Sequence, residues 1–385
     1  MVWTVDNSVH LLPSEEENDL RAAVRTVLES AGDVDAVRQT SSTDIGYSPE
    51  LWRQMTDSMS VTTMTIPEAS GGLGFGLQYL CTVIEECGRA LRPEPVLSSA
   101  AIGLQALLLS RGAEAEELRV GALSGRMIIA PTSLTTDADK LTATETPSGW
   151  TIDGTARVVG PPNADIVVAT ADTNGRRSLF AVPPSQGVSV RPLHSIDPTR
   201  AQADVHCVSA AAILLSPPGT ADEEIRRLWT RGVITLAAEN VGIAEHLFEM
   251  TREYTRSRKQ FGRTIASFQA IKHRLADMFL DVERARSAAR YAAALFDSAT
   301  QRPESDASDL EQLELAAAVA GAVCGDAAIR VATEAIQLHG GIGFTWEHPA
   351  HSYYRRVLTN ETLFGTPTQH RQRIASLATS THAAA

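Results

Sequence analysis

The chain has 385 residues and a formal net charge of -12, with 34 basic against 46 acidic side chains. The basic residues are dispersed, which argues against a nucleic-acid partner, because neutralising phosphates takes clustered Lys and Arg. The length suits two or three packed domains, and the four cysteines, Cys81, Cys87, Cys207 and Cys324, form no CxxC pair and have no His at metal-ligand spacing, so they read as reduced, mostly buried thiols with no metal site.

The first residues, MVWTVDNSVHLLPSEEEND, are acidic where a signal peptide would be basic, and no apolar run approaches the roughly 18 to 20 residues that span a bilayer. The expectation is a cytoplasmic protein with no membrane association. From Pro13, Ser14 stands three residues before Glu17, a capping-box spacing, and Leu20, Val24, Val27 and Leu28 follow on one helical stripe. Residues 77–91 and 98–110 keep helical apolar spacing, and PEASGGLGFG (67–76) reads as a loop between helices. Residues 1–126 are therefore expected to form a helical domain.

The texture changes at Met127. MIIAPTS, KLTATETPSGWTIDGTARVVG, ADIVVATAD, SLFAVPP, VSVRPL and ADVHCVSAAAILL are short, rich in β-branched residues and separated by Pro, Gly and Asp turns. This is the pattern of antiparallel strands, and it places a β-domain at 127–217.

Helices return in 218–385. In SFQAIKHRLADMFLDVERARSAARYAAALF, residues Phe268, Ile271, Leu275, Met278, Phe279 and Val282 step by three and four, as a core-facing stripe requires. LEQLELAAAVAGAVCGDAAIRVATEAIQLHG is rich in Ala and Gly, which suits close helix packing, while SATQRPESDASD (298–309) and the tail STHAAA are polar and of low complexity. The predicted class is α+β: N-terminal helices, a middle antiparallel β-domain and a C-terminal four-helix bundle.

Three pieces invite a chemical reading. RSRKQFGRTIASFQ (256–269) sets Arg256, Arg258, Lys259 and Arg263 around an aromatic just before a helix, where an anionic group could be held; the alternative is a solvated basic loop. QLHGGIGFTWEHP (337–349) has glycines that let backbone approach a ligand, or that simply end a helix and turn; His339 and His348 within it read as structural. The third piece is LFGTPTQHRQR (363–373) near the C-terminus.

In this order, together with PEASGGLGFG and SIDPTR (195–200), and with the longer YTRSRKQFGRTIASFQAIKHRLADM and QLHGGIGFTWEHPAHSYYRR, these segments resemble the acyl-CoA dehydrogenase family over essentially the whole chain. The resemblance implies that family's fold and an FAD held between the β-domain and C-terminal helices, completed by a neighbouring subunit. It also implies an acyl-CoA substrate, a tetramer, and electron-transfer flavoprotein as acceptor. In the family a carboxylate takes the α-proton of the thioester while the β-hydrogen leaves as hydride to the flavin.

The chain departs from the family at the base. Counted from Arg356 of YYRR, the usual base position is Gly365; the alternative position used by some members, on the first long C-terminal helix, is Gly232. Glu239 lies seven residues after Gly232, about 10 Å along a helix, and Glu361 precedes Gly365 by four. Either would have to act as a displaced base. The segments that resemble the isoalloxazine contacts also depart: PTSLTTDADK (131–140) stands where a loop like TEPGAGSD is expected, and VVGPPN (158–163) lacks the expected aromatic and hydroxyl.

Elements that the family donates to a neighbour's flavin are kept. By resemblance these are Arg258 for the pyrophosphate, Phe261 beside the cofactor, and Gln337, Gly340 and Gly341 against the ADP portion. The pattern is similar to the non-catalytic subunit of heterotetrameric, steroid side-chain type enzymes, in which a catalytic partner subunit supplies the base and FAD sits at the unlike-subunit interface. The alternatives are an active homomeric dehydrogenase, a homotetramer using Glu239 or Glu361, or a flavin monooxygenase on the same fold.

Overall fold

A computed structural model describes residues 9–110, 112–134, 140–301 and 307–380. The first eight residues, 135–139 of the PTSLTTDADK run, the centre of the 298–309 loop and nearly all of the tail lie outside the described residues.

Helices come first: α1 (Glu15–Ser30), α2 (Val34–Ser41), α3 (Pro49–Met59), α4 (Leu77–Arg89), α5 (Leu104–Leu107) and α6 (Ala113–Leu123). Seven strands follow: β1 (Ile129–Pro131), β2 (Lys140–Thr146), β3 (Gly149–Val159), β4 (Ile166–Thr173), β5 (Arg176–Val182), β6 (Val188–Pro192) and β7 (Gln202–Leu214). The chain then runs through α7 (Asp222–Ser257), a hairpin of β8 (Lys259–Gln260) and β9 (Arg263–Thr264), α8 (Gln269–Gln301), α9 (Ala307–His339), α10 (Ala350–Asn360) and α11 (Pro367–Ser380). The expected order of helices, strands and helices is the observed one.

The described residues divide into two compact units. The first takes the chain up to Asp35, then Cys81–Arg92, then everything from Val233; the second takes Ala36–Leu80 and Pro93–Gly232.

In the second unit the sheet runs β1-β4-β2-β3-β7-β5, with β6 beside β7, and β4 also pairs β5, so the sheet closes on itself. Most pairings are antiparallel as the strand pattern predicts, but β1–β4 and the single β2–β4 contact are parallel. Alternation along the strands drives closure, because Leu141, Ile152, Val158, Phe180 and Val205 point inward and form one buried cluster. Trp52 is fixed by its indole N–H donating to the Gly125 carbonyl at 2.8 Å. The segment expected to be α-helical at 98–110 begins as a π-type helix over Val96–Gly103, every residue of which is buried.

In the first unit α1 starts as its sequence predicts: Ser14 Oγ accepts from Glu17 N–H, and the Glu17 carboxylate accepts from Ser14 N–H, both at 3.1 Å. Arg21 and Arg25 on α1 pair with Glu86 on α4. The core gathers Leu91, Ile243, Leu247, Met278, Val282, Val331 and Tyr353.

Two sequence expectations are corrected here. On the α8 stripe, Met278 and Val282 are buried in the core and Ile271 and Leu275 pack against it half-buried, but Phe279 is exposed. Second, α9 does contain a window apolar and long enough to pass for a membrane span, and most of that window, 61%, is buried inside the fold. The apolarity serves packing: at Gly321 an added Cβ would lie 2.6 Å from the His370 ring, and at Gly325 it would lie 2.9 Å from Pro367 Cγ, so α11 is seated in a groove of α9 that only glycine leaves open.

Candidate functional site

The turn that carries Gly365 is shaped by how α11 begins. Thr366 Oγ1 accepts from Gln369 N–H at 3.2 Å and Gln369 Oε1 accepts from Thr366 N–H at 2.8 Å, with Pro367 in the first turn. TPTQ is thus a capping box, a signal legible in the sequence that the resemblance obscured. The preceding Gly365 takes φ +114°, a conformation that side-chain-bearing L-residues rarely adopt. The buried His370 ring packs 3.4 Å from where a Gly365 Cβ would stand. Burial holds the His370 pKa down to about 4, against a hydrogen bond with the Gly365 backbone that pulls it up. The backbone conformation at Gly365 disfavours a side chain of any kind.

Glu239 and Glu361 sit in different settings. Glu239 is 3% exposed, its Oε1 accepts from Arg356 Nη1 at 2.7 Å and from Asn360 Nδ2 at 3.3 Å, and its own backbone packs on Gly88. It is a buried ion-pair member. The helix carrying Glu361 ends at Asn360, so Glu361 caps α10 and does not share a helical face with Gly365. Gly232 is buried within α7.

The expected flavin-donating residues lie on exposed positions of the first unit. Phe261 and Gly262 form the two-residue tip of the β8–β9 hairpin, with φ +51° and +77°. Positive φ at both positions suits a two-residue hairpin turn, but a bulky aromatic in the first place is strained, and strain of this kind collects at ligand-contacting positions. Phe261 is 90% exposed and Arg258, at the base of the hairpin, is also exposed.

The second group, Gln337, Gly340 and Gly341, ends α9 and enters a short 3-10 turn. Tyr254 ties the two groups together: its ring stacks on His339 with centroids 4.4 Å apart, and its hydroxyl donates to the His339 carbonyl at 3.4 Å. The sequence reading did not single out Tyr254. His339 Nδ1 donates to the Ala335 carbonyl at 2.7 Å, and burial lowers its pKa.

Cβ atoms built on Gly340 and Gly341 would meet nothing within 4 Å, so the backbone there is open to a ligand, and Arg258 offers a guanidinium for a pyrophosphate. The segments that resemble isoalloxazine contacts are different. Thr132 is fully buried and its hydroxyl has no partner among the described residues, 158–161 is buried, and 135–139 lie outside the described residues.

Residues 14–119 match the acyl-CoA dehydrogenase N-terminal domain and residues 226–378 match its C-terminal domain. Acyl-CoA dehydrogenase IpdE2 of Mycobacterium tuberculosis is 32% identical over 95% of this chain and 98% of its own. This chain therefore belongs to the acyl-CoA dehydrogenase family, whose members are oxidoreductases.

Among solved structures, the ChsE4-ChsE5 complex from Mycobacterium tuberculosis matches with a TM-score of 0.85 and 27% identity over 95% of this chain and 98% of the matched chain. A variant of the Tcur3481-Tcur3483 steroid ACAD matches with a TM-score of 0.83 and 25% identity over 96% and 99%.

Proposed function

We propose that this chain is the non-catalytic subunit of a heteromeric acyl-CoA dehydrogenase: it completes an FAD site in trans, and a catalytic partner subunit removes the α-proton of an acyl-CoA thioester. One asymmetry carries the reading. Both positions that resemble the family's base are glycine, Gly365 in a backbone conformation hostile to a side chain, while Arg258, Phe261, Gln337, Gly340 and Gly341 stand exposed.

Arg258 would neutralise the pyrophosphate by charge-assisted hydrogen bonds, Phe261 would pack beside the cofactor, and Gln337 with the main chain at Gly340 and Gly341 would line the ADP portion. The flavin, when bound, supplies the hydride acceptor. The partner supplies the carboxylate, and electron-transfer flavoprotein is the expected acceptor of the electrons. Exposed Phe261, Phe279, Leu280 and Phe344 leave apolar surface for association with unlike subunits. ChsE4-ChsE5 is a complex of two proteins and Tcur3481-Tcur3483 is a steroid ACAD, and likeness to both supports a heteromer acting on a bulky thioester.

The homomeric alternative with Glu239 as base is disfavoured by that residue's burial and ion pair. The test is the visible spectrum of the chain expressed alone and with a catalytic subunit. Colourless protein alone and flavin-bearing, acyl-CoA-bleachable protein in the pair are expected. Full flavin occupancy with acyl-CoA-dependent bleaching of the chain alone would sink the proposal.

A further inference from the structure

The first unit holds a cavity of about 230 Å³ lined by the ends of α1 and α4 together with His246 and Tyr353. The His246 and Tyr353 rings lie 4.9 Å apart, and Leu28 adds apolar lining.

Three guanidinium groups also line it, and they are not equally satisfied. Arg25 is spent on Glu86, to which Nε and Nη2 both donate at 2.8 Å. Arg89 pairs through Nη2 with Glu249, while its Nη1 is buried with no acceptor among the described residues. Arg92 is 6% exposed, makes no ion pair with the described residues, and donates to the Leu28 and Gly32 carbonyls at the end of α1; its Nε has no acceptor among them.

A buried guanidinium without a counter-anion is costly, and the partial negative charge of a helix end offsets only part of that cost. Glu29 and Asp33, also on the lining, are exposed to solvent, and neither pairs with Arg92. Two buried guanidinium donors on the lining, Arg89 Nη1 and Arg92 Nε, therefore lack an acceptor among the described residues.

We propose that this cavity binds a small organic monoanion: a carboxylate that accepts from Arg89 and Arg92, carried on an apolar or aromatic body that packs against Leu28, His246 and Tyr353. Burial, followed by the nearby Arg89, holds the His246 pKa down to about 4, so that ring contributes surface and no competing charge.

Fluorine NMR of para-fluorobenzoate with the full-length chain tests this, with para-fluorobenzamide as the uncharged control of nearly the same shape. Saturable broadening of the acid and none of the amide is expected. Arg89→Gln, which removes the free donor and leaves the Arg92 cap on α1 intact, and Ala90→Leu, which narrows the cavity, should each weaken binding at least roughly tenfold. Circular dichroism checks that each variant is folded; if Arg89→Gln does not fold, Ala90→Leu decides. No saturable binding of the acid, equal binding of the amide, or undiminished binding in a folded variant would overturn the proposal.

Discussion

Arg356 Nη1 lies 2.7 Å from Glu239 Oε1, with both side chains withdrawn from water. Asn360 bonds the same carboxylate oxygen, and Arg356 also donates to the Leu91 and Arg92 carbonyls. The contact ties α7 to α10 and to the chain after α4, so the carboxylate that sequence position offers as a displaced base is a structural counter-ion. Glu239→Gln should destabilise the chain by about 3 to 5 kcal/mol, because it removes one partner of a buried ion pair. Glu239→Leu with Arg356→Met should recover much of that in a thermal melt. In the assembled enzyme, turnover per bound flavin should not depend on Glu239; loss of turnover with flavin and fold intact would return the base role to it.

Gly365 predicts a failed rescue. Gly365→Glu restores the residue type expected at the family's base position but places a side chain at φ +114°, at a cost of about 1 to 3 kcal/mol. The melting temperature should fall by a similar amount in Gly365→Ala, which adds no charge. Acyl-CoA-dependent flavin bleaching by the Gly365→Glu chain alone should remain absent.

The Thr366–Gln369 capping box predicts a smaller and separable effect. Thr366→Ala should cost about 1 kcal/mol in thermal or urea denaturation. Flavin retention in the assembled enzyme should be unchanged, since both polar groups are spent on the start of α11.

Acid should destabilise the first unit. His246 and His370 are each held near a pKa of about 4, in both cases chiefly by burial, against an ordinary value of 6.5. Because the folded pKa lies below the unfolded one, stability is full above about pH 6.5 and falls as pH drops toward 4, with each group taking up a proton on unfolding. Melting temperature measured from pH 7.5 down to pH 5 should decline, and His370→Gln should flatten the decline even if it lowers the plateau.

Much of this was legible from residue types. Hydrophobic periodicity and strand texture predicted the order of elements, and Ser14 with Glu17 predicted the start of α1, because those signals are local. Gly365 could be located by its distance from Arg356, but its meaning could not: φ +114° and the His370 ring beneath it arise from α11 docking on Gly321 and Gly325, residues some forty positions upstream. The exposed Phe279 misled for a related reason, since an apolar stripe looks the same whether it faces this chain's core or another surface. Tyr254 escaped notice because its role is to join two segments that are distant in sequence.

The most direct measurement is the flavin-to-protein ratio, by visible absorbance, of the complex between this chain and its catalytic partner, with Arg258 intact and as Arg258→Ala. If this chain completes the site in trans, the variant complex should keep its subunit composition on gel filtration and lose much of its flavin, because a charge-assisted contact to the pyrophosphate is gone. An undiminished flavin ratio in the Arg258→Ala complex would contradict donation from this subunit.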